Sequence, residues 1–125
     1  MTLTKPTYRI LIVDDEDDLR NLLSHVLSTH GYEIQSASNG EEAISKLKQQ
    51  TFDLALLDIQ MPKMSGIQVL QFIKEHASTT KAIMLTGYAD LKNAMEAREF
   101  GAREFISKPY KLEDVVSTIQ HVLNE

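Results

Sequence analysis

The sequence predicts an α/β domain built on a doubly wound, five-stranded parallel sheet. Three observations predict it. Five short runs are dense in apolar, often β-branched residues. Five intervening stretches carry apolar residues at helical spacing. The two kinds alternate without interruption along 125 residues. Such alternation gives parallel strands covered by helices on both faces, so the strands read as near-continuous apolar runs.

Tyr8 to Val13 (YRILIV) is the first strand. Asp14-Asp15-Glu16-Asp17-Asp18 follows. Leu19, Leu22, Leu23, Val26 and Leu27 then mark one face of a first helix, and Gly31 is placed to end it. Glu33 to Ala37 is a second strand. Ser38-Asn39-Gly40-Glu41 has the S-x-x-E form of a capping box, and Ala43, Ile44 and Leu47 continue a second helix. Leu54 to Leu57 is a third strand, fully apolar, with Asp58 where it ends. A loop marked by proline and glycine, Met61-Pro62-Lys63-Met64-Ser65-Gly66, leads to a helix carrying Ile67, Leu70 and Ile73. Lys81 to Thr86 is the fourth strand. Leu91, Ala94 and Met95 mark the fourth helix, with Gly101 past its end. Glu104 to Ser107 is the fifth strand, followed by Lys108-Pro109. Leu112, Val115, Val116, Ile119, Val122 and Leu123 mark the last helix.

Right-handed crossovers leave few topologies for five β–α units. This length fits the flavodoxin-like (βα)5 order 2-1-3-4-5 better than a six-stranded sheet. That choice leans in part on the family resemblance that the site residues bring. The net charge of −5 argues against direct nucleic-acid binding, which needs a basic stripe. There are no cysteines, which excludes disulfides and thiolate metal sites. No apolar run approaches the roughly 20 residues of a membrane span, and MTLTKPTYR has no apolar signal segment. The expectation is one cytoplasmic domain over 1–125, with its core at about 8–123, and no contact with a membrane.

In the order 2-1-3-4-5 the first and third strands are neighbours whose connections leave on opposite faces. Ligands bind at such a switch point, outside the C-terminal strand ends. Those ends carry Asp14 and Asp15 (strand 1), Asp58 (strand 3), Thr86 (strand 4), and Ser107 and Lys108 (strand 5). Three carboxylates in one crevice repel each other and call for a cation. A few hard oxygen donors with room for water suit Mg²⁺ more than Ca²⁺ or Zn²⁺, and no histidine falls at a strand end. A metal, an ammonium and a hydroxyl around one carboxylate suit a phosphoryl group. Each residue alone has a plainer reading. Asp14 to Asp18 could be first-turn acids of a helix, Asp58 a turn residue, Thr86 a β-former, and Lys108-Pro109 a turn. Their joint placement on one rim favours the site.

At these residues the sequence resembles the receiver domain of bacterial response regulators, over about Tyr8 to Leu123. The resemblance rests on Asp14-Asp15, on Asp58 with M-P-x-M-x-G at Met61 to Gly66, on Thr86-Gly87 and on Lys108-Pro109. It implies that Asp58 accepts a phosphoryl group from a sensor histidine kinase or a histidine phosphotransfer protein. It implies Mg²⁺, with Mn²⁺ as a substitute, on Asp14, Asp15, Asp58 and the backbone carbonyl of Gln60. It implies that Lys108 and Thr86 bind the phosphoryl oxygens, across a Lys-Pro bond that is often cis in relatives. Phe105, three before Lys108, would pair with Thr86 as the switch, though as an ordinary core residue it needs no such role. The helix 4–strand 5–helix 5 face, roughly Leu91 to Leu123, would then change for a partner, a second copy of the chain or a C-terminal output domain outside it. Gln60 and Tyr88 flank the site and would tune the phosphoryl lifetime, Tyr88 by shielding it from water.

The domain would catalyse only its own phosphorylation and dephosphorylation, as a switch rather than an enzyme. A haloacid dehalogenase-type phosphatase needs D-x-D after the first strand, and D-D-E at Asp14 does not supply it. A phosphorylation-independent binding module would not need the full residue set. His25 lies off the apolar face of the first helix. His30, His76 and His121 read as surface residues.

Overall fold

A computed structural model describes residues 7–87 and 91–125, with the side chains of 91 and 92 left aside. The elements run β1 (Arg9–Val13), α1 (Asp17–Thr29), β2 (Glu33–Ala37), α2 (Gly40–Gln49), β3 (Leu54–Asp58), α3 (Gly66–His76), β4 (Lys81–Thr86), α4 (Leu91–Glu99), β5 (Glu104–Ser107) and α5 (Leu112–Leu123). The sheet has five strands in the order β2-β1-β3-β4-β5. All neighbours are parallel, as in the register Val13↔Leu57 and Asp58↔Leu85. The predicted fold class and strand order are therefore those observed.

Alternation along the strands divides the core in two. Ile10, Ile12, Leu54, Leu56, Ile83 and Leu85 pack against α1 and α5. Leu11, Val13, Ala55, Leu57, Ala82 and Met84 pack against α2, α3 and α4. β3 lies between two strands and under both layers, so all five of its residues are buried, Asp58 included.

Several local expectations are corrected. The α1 stripe is narrower than its spacing predicts: Leu23 and Leu27 are buried, but Leu22 is 46% exposed. On α4, Met95 is exposed and Ala97 is buried instead. The α2 N-cap is Asn39, whose side chain accepts from the Glu42 amide at 2.8 Å. Ser38 instead donates to the Glu42 carboxylate at 3.3 Å. A reciprocal capping box does form at Ser65 and Gln68, at the start of α3. Gly31 follows α1 with φ +88°, the left-handed conformation that glycine adopts without strain.

Candidate functional site at the C-terminal rim of the sheet

β1 and β3 run in register, so their ends bring Asp14 and Asp58 to the same level of the sheet. Asp14 is fully buried and Asp58 is 4% exposed, while Asp15 is exposed. One carboxylate oxygen from each of the three lies within 4.8 Å of the others. Buried carboxylates demand partners. The Lys108 ammonium supplies one, donating to Asp14 Oδ2 at 3.1 Å and to Asp58 Oδ2 at 3.2 Å. Backbone amides take the other oxygens: Glu16 N–H donates to Asp14 Oδ1 at 2.9 Å, and Gln60 N–H to Asp58 Oδ1 at 3.2 Å.

Lys108 is carried to this position by β5 and by its own amide, which donates to the Thr86 carbonyl at 2.7 Å. The Lys108-Pro109 peptide is cis. Thr86 is half-buried at the end of β4, paired with Ser107. The β3–α3 turn is tight. A Cβ added at Gly66 would lie 2.2 Å from the Asp58 carbonyl oxygen, so only glycine lets α3 start against the strand end.

The electrostatics are uneven. Burial pushes the Asp58 carboxyl up to about 6; Lys108 opposes this, and Asp14 adds to it. Lys108 is shifted the other way from what burial alone would do. Burial favours its neutral form, but Asp58 and Asp14 together raise it above the usual lysine value. The acids are undercompensated, because a single ammonium serves Asp14, Asp58 and also Glu16 at 3.4 Å. Three hard carboxylate oxygens with too little positive charge fit a divalent cation of the Mg²⁺ type.

Of the predicted site residues, Asp14, Asp15, Asp58 and Lys108 come together, and Gln60 adjoins them through its amide. Phe105 does not join them. It packs half-buried against the α2–α4 side of the core, with the Arg98 guanidinium 5.8 Å from its ring centroid. Tyr88 lies outside the described residues. His25, His30, His76 and His121 are exposed.

Sequence reasoning missed three residues. Glu16 shares Lys108, and the D-D-E string hinted at it. Arg20 donates to the Asp14 carbonyl. Tyr110 places a buried hydroxyl, with no hydrogen-bond partner among the described residues, beside the charged cluster, and burial pushes its phenol up to about 12. Nothing in the sequence separates that tyrosine from an ordinary core aromatic.

A doubly wound sheet with three acids and a lysine at its switch point defines a phosphoryl- and cation-binding class of domain. The comparisons give the family. The response regulator receiver domain family matches residues 10–120, and the chain belongs to it. It is 41% identical over 114 residues to the transcriptional regulatory protein SrrA of Staphylococcus aureus (strain NCTC 8325 / PS 47), covering 91% of this chain and 47% of that protein. It resembles the CheY-like receiver domain protein of Methanospirillum hungatei JF-1 with TM-score 0.92 and 34% identity, over 95% of each chain. It resembles the response regulator TrrA of Thermotoga maritima, solved in complex with Mg²⁺-BeF, with TM-score 0.84 and 35% identity, over 93% of this chain and 99% of that one. The chain spans 25% and 47% of the lengths of the first curated relatives it matches. Receiver domains act in two-component signalling as phosphorylation switches and bind Mg²⁺ at an acidic pocket. They are signalling modules rather than conventional enzymes. Among the described residues no helix is long and apolar enough to cross a membrane.

Proposed function

We propose that residues 1–125 form a single receiver domain in which Asp58 is the phosphoacceptor. The observation that carries this reading is the buried Asp58 carboxylate sharing Lys108 with Asp14, undercompensated and at the switch point. Asp14, Asp15, Asp58 and the Gln60 carbonyl would hold the cation, and Mn²⁺ would serve in place of Mg²⁺. Bound there, Mg²⁺ supplies charge neutralisation of the transferring phosphoryl group. The neighbour solved with Mg²⁺-BeF supports a divalent site of this kind.

The chain's own residues do the rest. A carboxylate oxygen of Asp58 attacks phosphorus in line; the P–O or P–N bond to the donor breaks and the leaving group departs with its electron pair. The product is an acyl phosphate on Asp58. The Lys108 ammonium moves from the carboxylates to a phosphoryl oxygen, and the Thr86 hydroxyl donates to another. Water later attacks the same phosphorus, the P–O bond to Asp58 breaks, and inorganic phosphate leaves as the carboxylate is restored. Gln60, whose amide adjoins Asp58, and Tyr88, two residues after Thr86 in the sequence, would set the lifetime. Movement of Thr86 draws Phe105 inward from its place under Arg98, and the α4–β5–α5 face changes. The phosphodonor is a sensor histidine kinase or a histidine phosphotransfer protein. The responding element is a C-terminal output domain, a partner or a second copy of the chain. We place the protein in the cytoplasm, where such donors present their phosphohistidine.

Acetyl phosphate with Mg²⁺ is expected to give one hydroxylamine-labile phosphoryl group per chain. Asp58→Asn and EDTA are each expected to abolish it. Retention of label in Asp58→Asn would place the acceptor elsewhere and overturn the reading.

A further inference from the structure

Asp14 and Asp15 project from neither a strand nor a helix. Residues 14–16 bridge the end of β1 and the start of α1. Cation ligands on an irregular segment need a supporting layer to aim them. The segment's main chain is held at its start by the Asp14 amide, which donates to the Ala37 carbonyl at 3.2 Å. The next peptide group, between Asp14 and Asp15, is held through its carbonyl. Arg20 Nη1 donates to the Asp14 carbonyl oxygen at 2.7 Å. The other arm of the same guanidinium, Nη2, donates to the Asp17 carboxylate at 2.6 Å. Only 14% of the Arg20 side chain is exposed, so this is not a solvated surface charge.

We infer that Arg20 is a positioning residue for the acid cluster. Its guanidinium fixes the peptide plane between Asp14 and Asp15, and so fixes the directions in which two carboxylates leave the chain. The inference rests on the Mg²⁺ reading proposed above. A planar fork with one arm on a carbonyl and one on a carboxylate is a geometry that lysine does not reproduce. Asp17 also offsets the Arg20 charge, so the residue acts on the site through hydrogen bonding more than through its field.

The sign of the effect separates this role from its rivals. As a mere positive charge beside a cation site, Arg20 would weaken Mg²⁺ binding, and its removal would tighten it. As a mere anchor of α1, it would affect unfolding without affecting Mg²⁺ affinity. As a positioning residue, its loss weakens Mg²⁺ binding in a chain that remains folded.

The test is a Mg²⁺ titration of the full chain followed by heteronuclear NMR, with metal-free thermal unfolding measured alongside. Arg20→Gln is expected to weaken Mg²⁺ affinity roughly tenfold, in the range typical of groups that support metal ligands. Arg20→Lys, which keeps the charge and loses the fork, is expected to weaken it in the same direction. Asp17→Asn keeps the bond to the Asp14 carbonyl and is expected to stay close to wild type. Unchanged or tighter binding in Arg20→Lys overturns the assignment, and that variant decides alone if Arg20→Gln does not fold. A loss in Asp17→Asn as large as that in Arg20→Gln assigns the effect to the ion pair and also overturns it. A wild-type chain that binds no Mg²⁺ fails at the earlier step and removes the metal reading together with this one.

Discussion

At the N-terminal ends of the strands, buried polar groups are neutral and individually matched; at the C-terminal ends they are charged and shared. The buried Thr80 hydroxyl donates to the Phe52 carbonyl at 2.7 Å. Asp53, exposed at the same end, takes the Arg9 amide at 2.7 Å, while its own amide and carbonyl bond to Arg9 and Lys81. Each group there has its own partner. At the other end, Asp14, Asp58 and Glu16 divide one ammonium, and Asp15 adds a further carboxylate within ligand distance of the first two. The same sheet thus has one end whose polar groups stabilise the fold and another that is less stable than its packing allows. Several carboxylates sharing one ammonium are costly to the fold, and such an excess of negative charge is what a divalent-cation site of the proposed kind would use.

The largest expected effect tests how closely the charged end is built. Gly66→Ala drives a Cβ to 2.2 Å from the Asp58 carbonyl oxygen, a backbone atom of β3, and the Cβ itself is fixed rigidly to the first residue of α3. A loss of about 3 kcal/mol is expected in urea unfolding, the upper part of the range for overpacking. A loss below about 1 kcal/mol, under the usual cost of overpacking a buried site, would show that the turn can yield.

The next effect has the opposite sign and depends on pH. The Asp58 carboxyl is raised to about 6 from 3.8, chiefly by burial. A carboxyl raised in the folded state binds its proton more tightly folded than unfolded. Stability is therefore greatest when it is protonated and falls as pH rises from about 4 to about 6. Asp58→Asn removes that charge at nearly constant shape. Without metal at pH 7.5 it is expected to be more stable than wild type by about 2 kcal/mol. The gap should close below pH 4, and it should shrink when Mg²⁺ is added, because only wild type gains from the cation. A variant less stable than wild type in EDTA would mean that Lys108 compensates Asp58 fully, and the contrast between the two ends would collapse.

Much of this contrast was legible in the sequence, for a physical reason. Strand order turns position along the chain into position on a rim, which puts Asp14, Asp58, Thr86 and Lys108 at the same end of the sheet. The fold class and strand order followed from alternation and from the resemblance. Which face a side chain takes is less legible. The i, i+3, i+4 spacing of α1 cannot say how wide its buried stripe is, and Leu22 fell outside it. On α4, Met95 fell outside and the smaller Ala97 took the buried place, because a short side chain lets the helix sit close. Glu16 was hidden among five consecutive acids, since which of them turns inward depends on where α1 starts. Arg20 lies at a polar position of an amphipathic helix, where a buried fork and a solvated charge look alike.

The smallest effect concerns the quiet end. Thr80→Val keeps the shape and removes the hydroxyl, leaving the Phe52 carbonyl without that donor at a buried site. The expected loss is about 1 kcal/mol, the usual worth of a neutral hydrogen bond. The magnitude matters less than its invariance. Neither Thr80 nor Phe52 carries an ionisable side chain, and Lys81, next in sequence, points its ammonium at the Val122 and Glu125 main-chain oxygens rather than at this bond. The loss should therefore be the same at pH 5 and pH 7.5, and with or without Mg²⁺, in contrast to Asp58→Asn. Measured together in one denaturant series, the two variants form a cycle. Additivity within about 0.5 kcal/mol in the double variant is expected for sites at opposite strand ends. Strong coupling between them would mean that charge at one end of the sheet is felt at the other, and that the two ends are not separate designs.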